Sequence, residues 1–240
     1  MIEALSFGQP GDGVTFHTGE GPGSVLRNLV IRNCGMAISL NYGSSPTISN
    51  LTIVDNDFGI AAYENSDPDI RNCIFWNNRD GDLFQCGASY SCIQSGVPGE
   101  GNISIDPLFV DAADGDYHLV SQGLYWNTFG DSWTRHSYLT SPCVDAGDPA
   151  WPLGDEPMSV PWVTSDAHGV NQRINMGAFG GSPQASMPPP GWASLHSEGV
   201  SPDTSPVKWA PNGAPQETLA GGGASDGPLR VMTMFGVAGG

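Results

Sequence analysis

The sequence predicts an all-β fold, a parallel β-helix in which short strands form coils and each coil stacks on the one before it. Three observations support this prediction. Segments recur with a period of about 22 residues, which is typical of solenoid repeats. The recurring segments are rich in β-branched residues, and Gly (33) and Pro (20) are frequent enough to favour turns over helices. A helical solenoid is disfavoured, because its repeats are longer and rich in Ala, Leu and Lys.

The repeat is clearest in three segments that align without gaps, residues 25–34, 47–57 and 69–79. Apolar residues recur at equivalent places in these segments. Strands of neighbouring coils lie about 4.8 Å apart, so equivalent residues stack as columns inside the helix. The interior columns expected on this basis are Phe16/Ile38/Ile60, Leu26/Ile48/Ile70, Leu29/Leu51/Cys73 and Ile31/Ile53/Phe75.

Asparagines recur at the same interval. Asn28, Asn50 and Asn72 each lie one repeat apart, and we expect their side-chain amides to form a hydrogen-bonded ladder at a turn of the coil. The main alternative architecture is a leucine-rich repeat, but its LxxLxL pattern is absent.

The period loosens after residue 80, where the chain becomes less regular. Further strands are predicted within residues 91–95, 102–111 and 116–121. From about residue 122 we expect an irregular cap, so that residues 1–187 form one domain. Residues 188–240 are predicted to be a disordered tail, because this Pro-, Gly- and Ser-rich segment cannot bury enough apolar surface to fold alone.

The charge balance is strongly acidic, with eight Lys and Arg against 25 Asp and Glu and a formal net charge of −17. Nucleic-acid binding is not expected, because it requires clustered basic residues. No apolar run approaches the length of a membrane-spanning helix, so membrane insertion is not expected either. The N-terminus lacks the basic start and apolar core of a signal peptide, which leaves a cytoplasmic protein or a removed leader as alternatives.

The five cysteines are an odd number, so at least one thiol stays unpaired within the chain. Their spacing does not match a zinc site. If Cys73 and Cys92 share an interior column, they lie within disulfide range. Two buried free thiols are an equally good interpretation, and Cys143 is expected to pack into the closing segment.

Six stretches spread over residues 14–187 carry a family resemblance. They are VTFHTGEGPGSVLRNLVIRN, SSPTISNLTIVDN, GEGNISIDPLFVD, GDYHLVSQG, SPCVDAGDP and RINMGAFGG. Their combination and order resemble right-handed parallel β-helix proteins of the pectin-lyase-like superfamily, found among secreted and surface proteins of environmental bacteria. The resemblance implies a right-handed coil, an extracellular or cell-surface location and a polysaccharide partner. The polygalacturonase motifs of that superfamily have no counterpart in this sequence.

One candidate site lies on the outer face of the regular coils. Asp57 and Arg79 lie one repeat apart and are therefore expected to face each other across adjacent coils, with Tyr63, Glu64 and Trp76 on the same flank. Asp57, Glu64 and Arg79 are the candidate catalytic residues, and Tyr63 and Trp76 the candidate sugar-stacking residues. Two carboxyl groups at a suitable separation perform general acid and base work in glycoside hydrolysis. The alternative is an inter-coil salt bridge beside ordinary surface aromatics.

A second candidate site is a bend rich in carboxylates. Asp111, Asp114 and Asp116 surround Gly115, with Asp106 upstream. Carboxylate oxygens are the ligands that calcium prefers, so these four aspartates are the candidate Ca²⁺ ligands. The loop does not match the EF-hand pattern, and a solvated acidic turn is the alternative.

A third candidate is an aromatic stretch in the region of the expected cap. Trp126, Trp133 and Tyr138 would cover the end of the β-helix, where an uncapped coil exposes its pairing edges. The alternative is a sugar-stacking surface, with Trp126 and Trp133 as substrate-binding residues.

The leading functional prediction is a secreted protein that interacts with a polysaccharide, and glycan cleavage by a lyase or a glycoside hydrolase is one form of it. The alternative is a non-catalytic structural or adhesive surface module. Calcium is the one cofactor expected, and a monomer is favoured. Fold alone does not define function, so only the residues of the site can distinguish a glycan-interacting protein from a surface module.

Overall fold

The computed structural model describes residues 2–3, as backbone only, and residues 11–192. All regular structure in these residues is β-strand. The strands are β1 (Ile2–Glu3), β2 (Val14–Phe16), β3 (Val25–Arg32), β4 (Met36–Leu40), β5 (Thr47–Val54), β6 (Phe58–Ala62), β7 (Asp69–Arg71), β8 (Ile74–Trp76), β9 (Gly81–Phe84), β10 (Cys92–Ile93), β11 (Phe109–Asp111), β12 (Asp116–Leu119), β13 (Tyr125–Asn127) and β14 (Ser132–Thr134).

The coils form two parallel sheets. One sheet has the order β1-β3-β5-β8-β10, with β7 also paired to β5, and the other has the order β2-β4-β6-β9. The register places Leu26 opposite Ile48 and Ile48 opposite Ile70, which is an offset of one repeat at each step. The predicted all-β solenoid, with one coil for each repeat, is therefore confirmed.

Asparagines make one corner of each coil. Asn28, Asn50 and Asn72 have φ values of 55°, 51° and 55°, in the left-handed region that asparagine tolerates better than most residues. The pairing of β3 with β5 skips this position, so each long strand bends there without ending. In the third coil the same corner separates β7 from β8.

The interior consists of the predicted apolar columns with one correction. Val14, not Phe16, lies opposite Ile38, and Phe16 pairs with Leu40 because the register of β2 is offset by 24 residues from that of β4. Ile31, Ile53 and Phe75 stack in one sheet and are fully buried, and Ile38 stacks on Ile60 in the other. A fully buried isoleucine or phenylalanine contributes about 1.5–3 kcal/mol. Because every coil adds members to each column, the core is continuous along the helix axis.

An asparagine ladder exists, but not at the predicted column. The Asn56 amide donates to Asn78 Oδ1 at 3.0 Å, and the Asn78 amide donates to Asp82 Oδ1 at 2.9 Å. Asn56 Oδ1 in turn accepts from the backbone N–H of Cys34 at 3.0 Å. Each link joins buried or half-buried polar groups at the turn that leads into the second sheet. The prediction of a ladder through Asn28, Asn50 and Asn72 is wrong.

Two of those three asparagines instead bind a segment from the C-terminal part of the chain, residues 175–181, which we call the strap. The amide groups donate to strap carbonyls: Asn28 to Ala178 and Gly180 at 2.9 and 2.7 Å, and Asn50 to Asn175 and Gly177 at 2.9 and 3.4 Å. The strap thus runs along the side of the coils, not only over their end.

Asn72 anchors two parts of the C-terminal region. Its Oδ1 accepts from the Asp148 N–H at 2.7 Å, and its backbone carbonyl accepts from the Gly177 N–H at 2.8 Å. Thr52 Oγ1 also accepts from the Ala178 N–H at 3.0 Å. The strap is therefore hydrogen-bonded to the coils although it contains no strand.

Glycines permit this close contact. A Cβ atom at Gly180 would collide with Asn50 Nδ2, and one at Gly147 would lie 2.7 Å from Asn72 Oδ1. Gly177 also has a φ of 87°, which disfavours any side chain. The glycines of the RINMGAFGG and DAGDP motifs are thus required for docking against the asparagine corner.

Two hairpins follow the coils. Strand β11 pairs antiparallel with β12, and β13 pairs antiparallel with β14. Leu124 forms an antiparallel bridge with Met187, which joins the second hairpin to the end of the described chain. The predicted tail at 188–240 lies outside the described residues from 193 onward.

None of the five cysteines forms a disulfide bond in the structure. Cys73 and Cys92 are both buried but do not share an interior column, because Cys92 lies opposite Ile74. A shift of one residue directs a side chain to the other face of a strand.

The described residues include no helix that is long and apolar enough to span a membrane.

We predict that Asn50→Ala lowers the free energy of unfolding by about 1–3 kcal/mol, because it leaves buried strap carbonyls without a donor. The measurement is urea denaturation of both proteins. Asn65→Ala is the matched control, because Asn65 is exposed and has the same left-handed backbone, with a φ of 61°. If both variants lose equal stability, the strap contact contributes nothing.

Candidate functional site

Two hollows lie in the described residues, one between the coils and the segment that follows them and the other between the two hairpins. The first, which we call the Trp76 hollow, encloses about 270 Å³, and the second, the acidic hollow, about 440 Å³. The Trp76 hollow is lined by Val54, Asp55, Trp76, Asn77, Asp106, Leu108, Phe109, Ala112 and Tyr117. The acidic hollow is lined by Val110, Asp111, Asp114, Asp116, Tyr125, Asn127, Thr128 and Phe129.

The repeat positions one wall of the Trp76 hollow. Val54 and Trp76 are paired on adjacent coils, and each is followed by a left-handed corner residue, Asp55 and Asn77, with φ values of 55° and 56°. The Asp55 N–H donates to the Trp76 carbonyl at 3.2 Å. These contacts fix a half-buried indole beside a carboxylate and an amide.

The segment after the coils provides the other wall. The phenol ring of Tyr117 packs edge-on against Phe109, with ring centroids 5.2 Å apart. The Tyr117 hydroxyl donates to Asp55 Oδ2 at 3.5 Å and accepts from Arg32 at 3.3 Å. Asp106 accepts from the backbone N–H of Leu108 at 2.9 Å. The hollow thus joins side chains that are far apart in sequence.

The Tyr117 hydroxyl lies between the guanidinium of Arg32 and the carboxylate of Asp55. Burial raises the pKa of the Tyr117 phenol, although Arg32 opposes this increase. Tyr117 therefore stays a neutral hydrogen-bonding group. None of the residues that line the hollow is basic, and two of them are aspartates. Such a lining can accept hydrogen bonds from hydroxyl groups.

The acidic hollow contains three of the four aspartates predicted as calcium ligands. Asp111 accepts from the Asp114 N–H at 3.3 Å, which closes the tight turn between β11 and β12. Asp116 is buried. Its Oδ1 is hydrogen-bonded to His118 Nδ1 at 2.6 Å, and its Oδ2 accepts from the Thr128 hydroxyl at 2.6 Å. Burial alone would raise the pKa of Asp116, but these hydrogen bonds lower it to about 2. Both oxygens of Asp116 are thus engaged within the protein.

The four predicted calcium ligands do not converge on one point. Asp106 lines the Trp76 hollow, whereas Asp111, Asp114 and Asp116 line the acidic hollow. Among residues 11–192, no group of three or more His, Cys, Asp or Glu side chains is arranged to hold a metal ion. A single site built from all four aspartates is not formed.

The predicted contact of Asp57 with Arg79 is present, at 3.0 Å across adjacent coils. Arg79 also binds Asp80 through two hydrogen bonds of 3.0 and 3.1 Å. Hydrogen bonding to Asp80 and the charge of Asp57 raise the pKa of Arg79. The guanidinium is therefore held as a cation between two carboxylates.

Glu64 and Tyr63 lie at the opposite end of β6 from Asp57. The five residues of this strand separate Asp57 from Glu64 by about 16 Å, beyond the roughly 5–10 Å of glycosidase carboxyl pairs. Glu64 accepts from the Tyr42 N–H at 3.1 Å, and the ring of Tyr63 packs on Phe84. These residues do not gather with Trp76, contrary to the expected shared flank.

Trp126 and Trp133 face each other across the second hairpin, with ring centroids 5.6 Å apart in an edge-on arrangement. Trp133 also packs against the small core of Leu124, Val160 and Met187. The pair therefore stabilises the C-terminal region. Neither indole lines the Trp76 hollow or the acidic hollow.

Asp55, Asn77 and Tyr117 were not among the predicted site residues. For Asp55 and Asn77 a signal exists, because they lie one repeat apart and directly follow the pair of Val54 and Trp76. Tyr117 has no such signal, since it lies outside the repeat.

Two buried carboxyl groups accept hydrogen bonds from the strap and from the residues just before it. Glu156 accepts from the N–H groups of Asn175 and Gly181 at 2.8 and 2.9 Å, and burial raises its pKa to about 7. Asp145 accepts from two N–H groups at 2.6 Å, and its pKa is also raised by burial. Both carboxyl groups therefore hold backbone N–H groups of the C-terminal region in place.

Comparison with known proteins identifies the coils. Residues 3–103 match the family described as the right handed beta helix region. No curated protein matches the chain, and no solved structure does.

We predict that Glu156 makes stability fall as pH rises from about 4.5 to about 7. The folded state keeps a proton that the unfolded state has lost, at a cost of up to about 1.4 kcal/mol per pH unit. Glu156→Gln should flatten the pH dependence of the free energy of unfolding in this window. Glu100→Gln, at an exposed glutamate, is the control, and an unchanged slope in Glu156→Gln would contradict the role of Glu156.

Proposed function

Residues 3–103 form a right-handed β-helix region, and we propose that the chain binds a neutral polysaccharide in the Trp76 hollow. The β-helix region itself indicates a polysaccharide-related or surface protein. The proposal adds the site and the type of glycan. It also places the protein at the cell exterior, where such polymers are found.

The observation that carries the proposal is the grouping of a half-buried indole with polar groups around one hollow. Ring faces stack on the C–H faces of sugars, and carboxylate and amide groups exchange hydrogen bonds with sugar hydroxyls. Trp76 provides the ring, and Asp55, Asn77 and Asp106 provide the polar groups. A concave site with few convergent polar groups is the usual form of a ligand site.

The charge supports a neutral ligand. The hollow contains two aspartates and no basic residue, and the chain has a net charge of −17. A polyanion such as polygalacturonate would be repelled by both. Neutral polymers avoid this penalty and still present many hydroxyl groups to the aspartates.

The proposal is for binding and not for cleavage. Asp57 and Glu64 lie at opposite ends of β6, and Arg79 is held in ion pairs by Asp57 and Asp80. These three predicted catalytic residues therefore carry no part of it. Calcium is not part of it either, because the four aspartates predicted as calcium ligands are divided between two hollows.

A rigid, non-catalytic surface module is the second candidate. It is favoured by the strap, whose contacts span the corners Asn28, Asn50 and Asn72 and tie three coils together. Such a module would need no glycan site, so measured binding separates the two candidates.

We predict that Asp55→Asn with Asp106→Asn weakens binding of a neutral oligosaccharide by about tenfold, because hydrogen bonds to charged groups are the stronger ones. Isothermal titration calorimetry against cello-, xylo- and manno-oligosaccharides, with polygalacturonate as the anionic comparison, measures this. EDTA should leave the affinity unchanged.

The matched control is Asp67→Asn, an exposed aspartate on the coils that lines neither hollow. It should bind as the natural chain does. Equal losses in Asp67→Asn and the double variant would contradict the assignment of the hollow. Binding of none of the glycans would favour the rigid surface module.

A further inference from the structure

Two buried thiols meet where the last coil contacts the C-terminal region. Cys92 lies in β10, and Cys143 lies in the SPCVDAGDP motif; both are fully buried in one apolar cluster. Burial and the neighbouring Cys92 thiol raise the pKa of Cys143. Cys92 Sγ also contacts the Ile105 carbonyl at 3.1 Å. The two cysteines therefore lie in the same part of the core.

The other cysteines with described thiol contacts point to backbone carbonyls. Cys73 donates to the Arg71 carbonyl at 3.1 Å, and Cys86 contacts the Ile60 carbonyl at 4.0 Å. Cys73 also belongs to the interior core, which is a different cluster from that of Cys92. The register therefore separates Cys73 from Cys92 and leaves Cys143 as the neighbour of Cys92.

We propose that Cys92 and Cys143 form a disulfide bond when the chain folds in the presence of a small-molecule disulfide oxidant. This pairing joins the last coil to the segment that leads into the strap. It is independent of the proposed glycan binding.

The reaction with oxidised glutathione is a double exchange. One cysteine thiolate attacks the glutathione disulfide, forms a mixed disulfide and releases one glutathione. The second thiolate attacks the mixed disulfide, forms the Cys92–Cys143 bond and releases the second glutathione. The two thiol protons end on the two glutathione molecules, and two electrons reduce the oxidant.

Folding order favours formation before burial. Thiolates are the reacting species, and burial raises the pKa of Cys143 well above its ordinary value. Once the chain has folded, oxidation should be slow. The bond, once formed, should be equally protected from reductants.

The crosslink would constrain the Trp76 hollow. The loop that it closes contains Asp106, Phe109 and Tyr117 from one wall. This loop has about 50 residues, and closing a loop of this length restricts the unfolded chain strongly. We expect the oxidised chain to melt roughly 5–15 °C above the reduced chain.

The test is thiol counting and peptide mapping of the full chain, refolded in a glutathione redox buffer. After denaturation and alkylation, the oxidised chain should show three free thiols, and the chain kept in a phosphine reductant should show all five. Trypsin cuts after Arg79, Arg135 and Arg173, which places Cys143 on a separate peptide from Cys92. A linked pair of these two peptides is expected.

Two variants make the assignment specific. Cys86 shares the tryptic peptide of Cys92, and Cys86→Ala should keep the link and the thermal shift. Cys143→Ala should keep four free thiols and lose the shift. A chain exported to the bacterial periplasm gives the same map without refolding. Five free thiols in the natural chain after refolding in the glutathione buffer, or a link that uses Cys73 or Cys86, would overturn the proposal.

Discussion

The hydrogen bonds between the corner asparagines and the C-terminal part of the chain are the interaction on which the rest of the structure depends. Asn28 and Asn50 donate to strap carbonyls, and Asn72 accepts from the N–H of Asp148. Each asparagine has two roles. Its left-handed backbone bends the coil, and its side chain forms hydrogen bonds with the C-terminal part of the chain. Without this pairing, a segment that contains no strand would bury many unsatisfied backbone groups.

The Trp76 hollow lies beside the same coils. The coils contribute Trp76 and Asp55 to its lining, and the segment that follows the coils contributes Asp106 and Tyr117. The Trp76 hollow is thus formed between a regular part and an irregular part of the chain. The regular part fixes the position of the indole, and the irregular part adds Asp106 and Tyr117.

The sequence predicts what the repeat controls. The interior columns, apart from the position of Phe16, and the contact of Asp57 with Arg79 follow from the spacing of the repeat and are found in the structure. The ladder was assigned to the wrong asparagines because Asn56 and Asn78 also lie one repeat apart. Spacing cannot tell which amide points inward, since this depends on a left-handed corner and on a partner from a distant part of the chain.

Contacts outside the repeat were not predictable for a related reason. Cys92 follows Cys73 by less than one full repeat, so the register of the last coil shifts and the two thiols separate. Tyr117 and Asp106 join the Trp76 hollow through a non-repetitive segment.

Hydrogen exchange by NMR tests the role of the strap most directly. The N–H groups of Asn175, Met176, Gly177, Ala178, Gly180 and Gly181 all donate hydrogen bonds. If the strap is part of the folded core, these amides exchange as slowly as those of β5, although the strap contains no strand. Exchange as fast as that of the exposed hairpin tip around Phe129 would contradict the account.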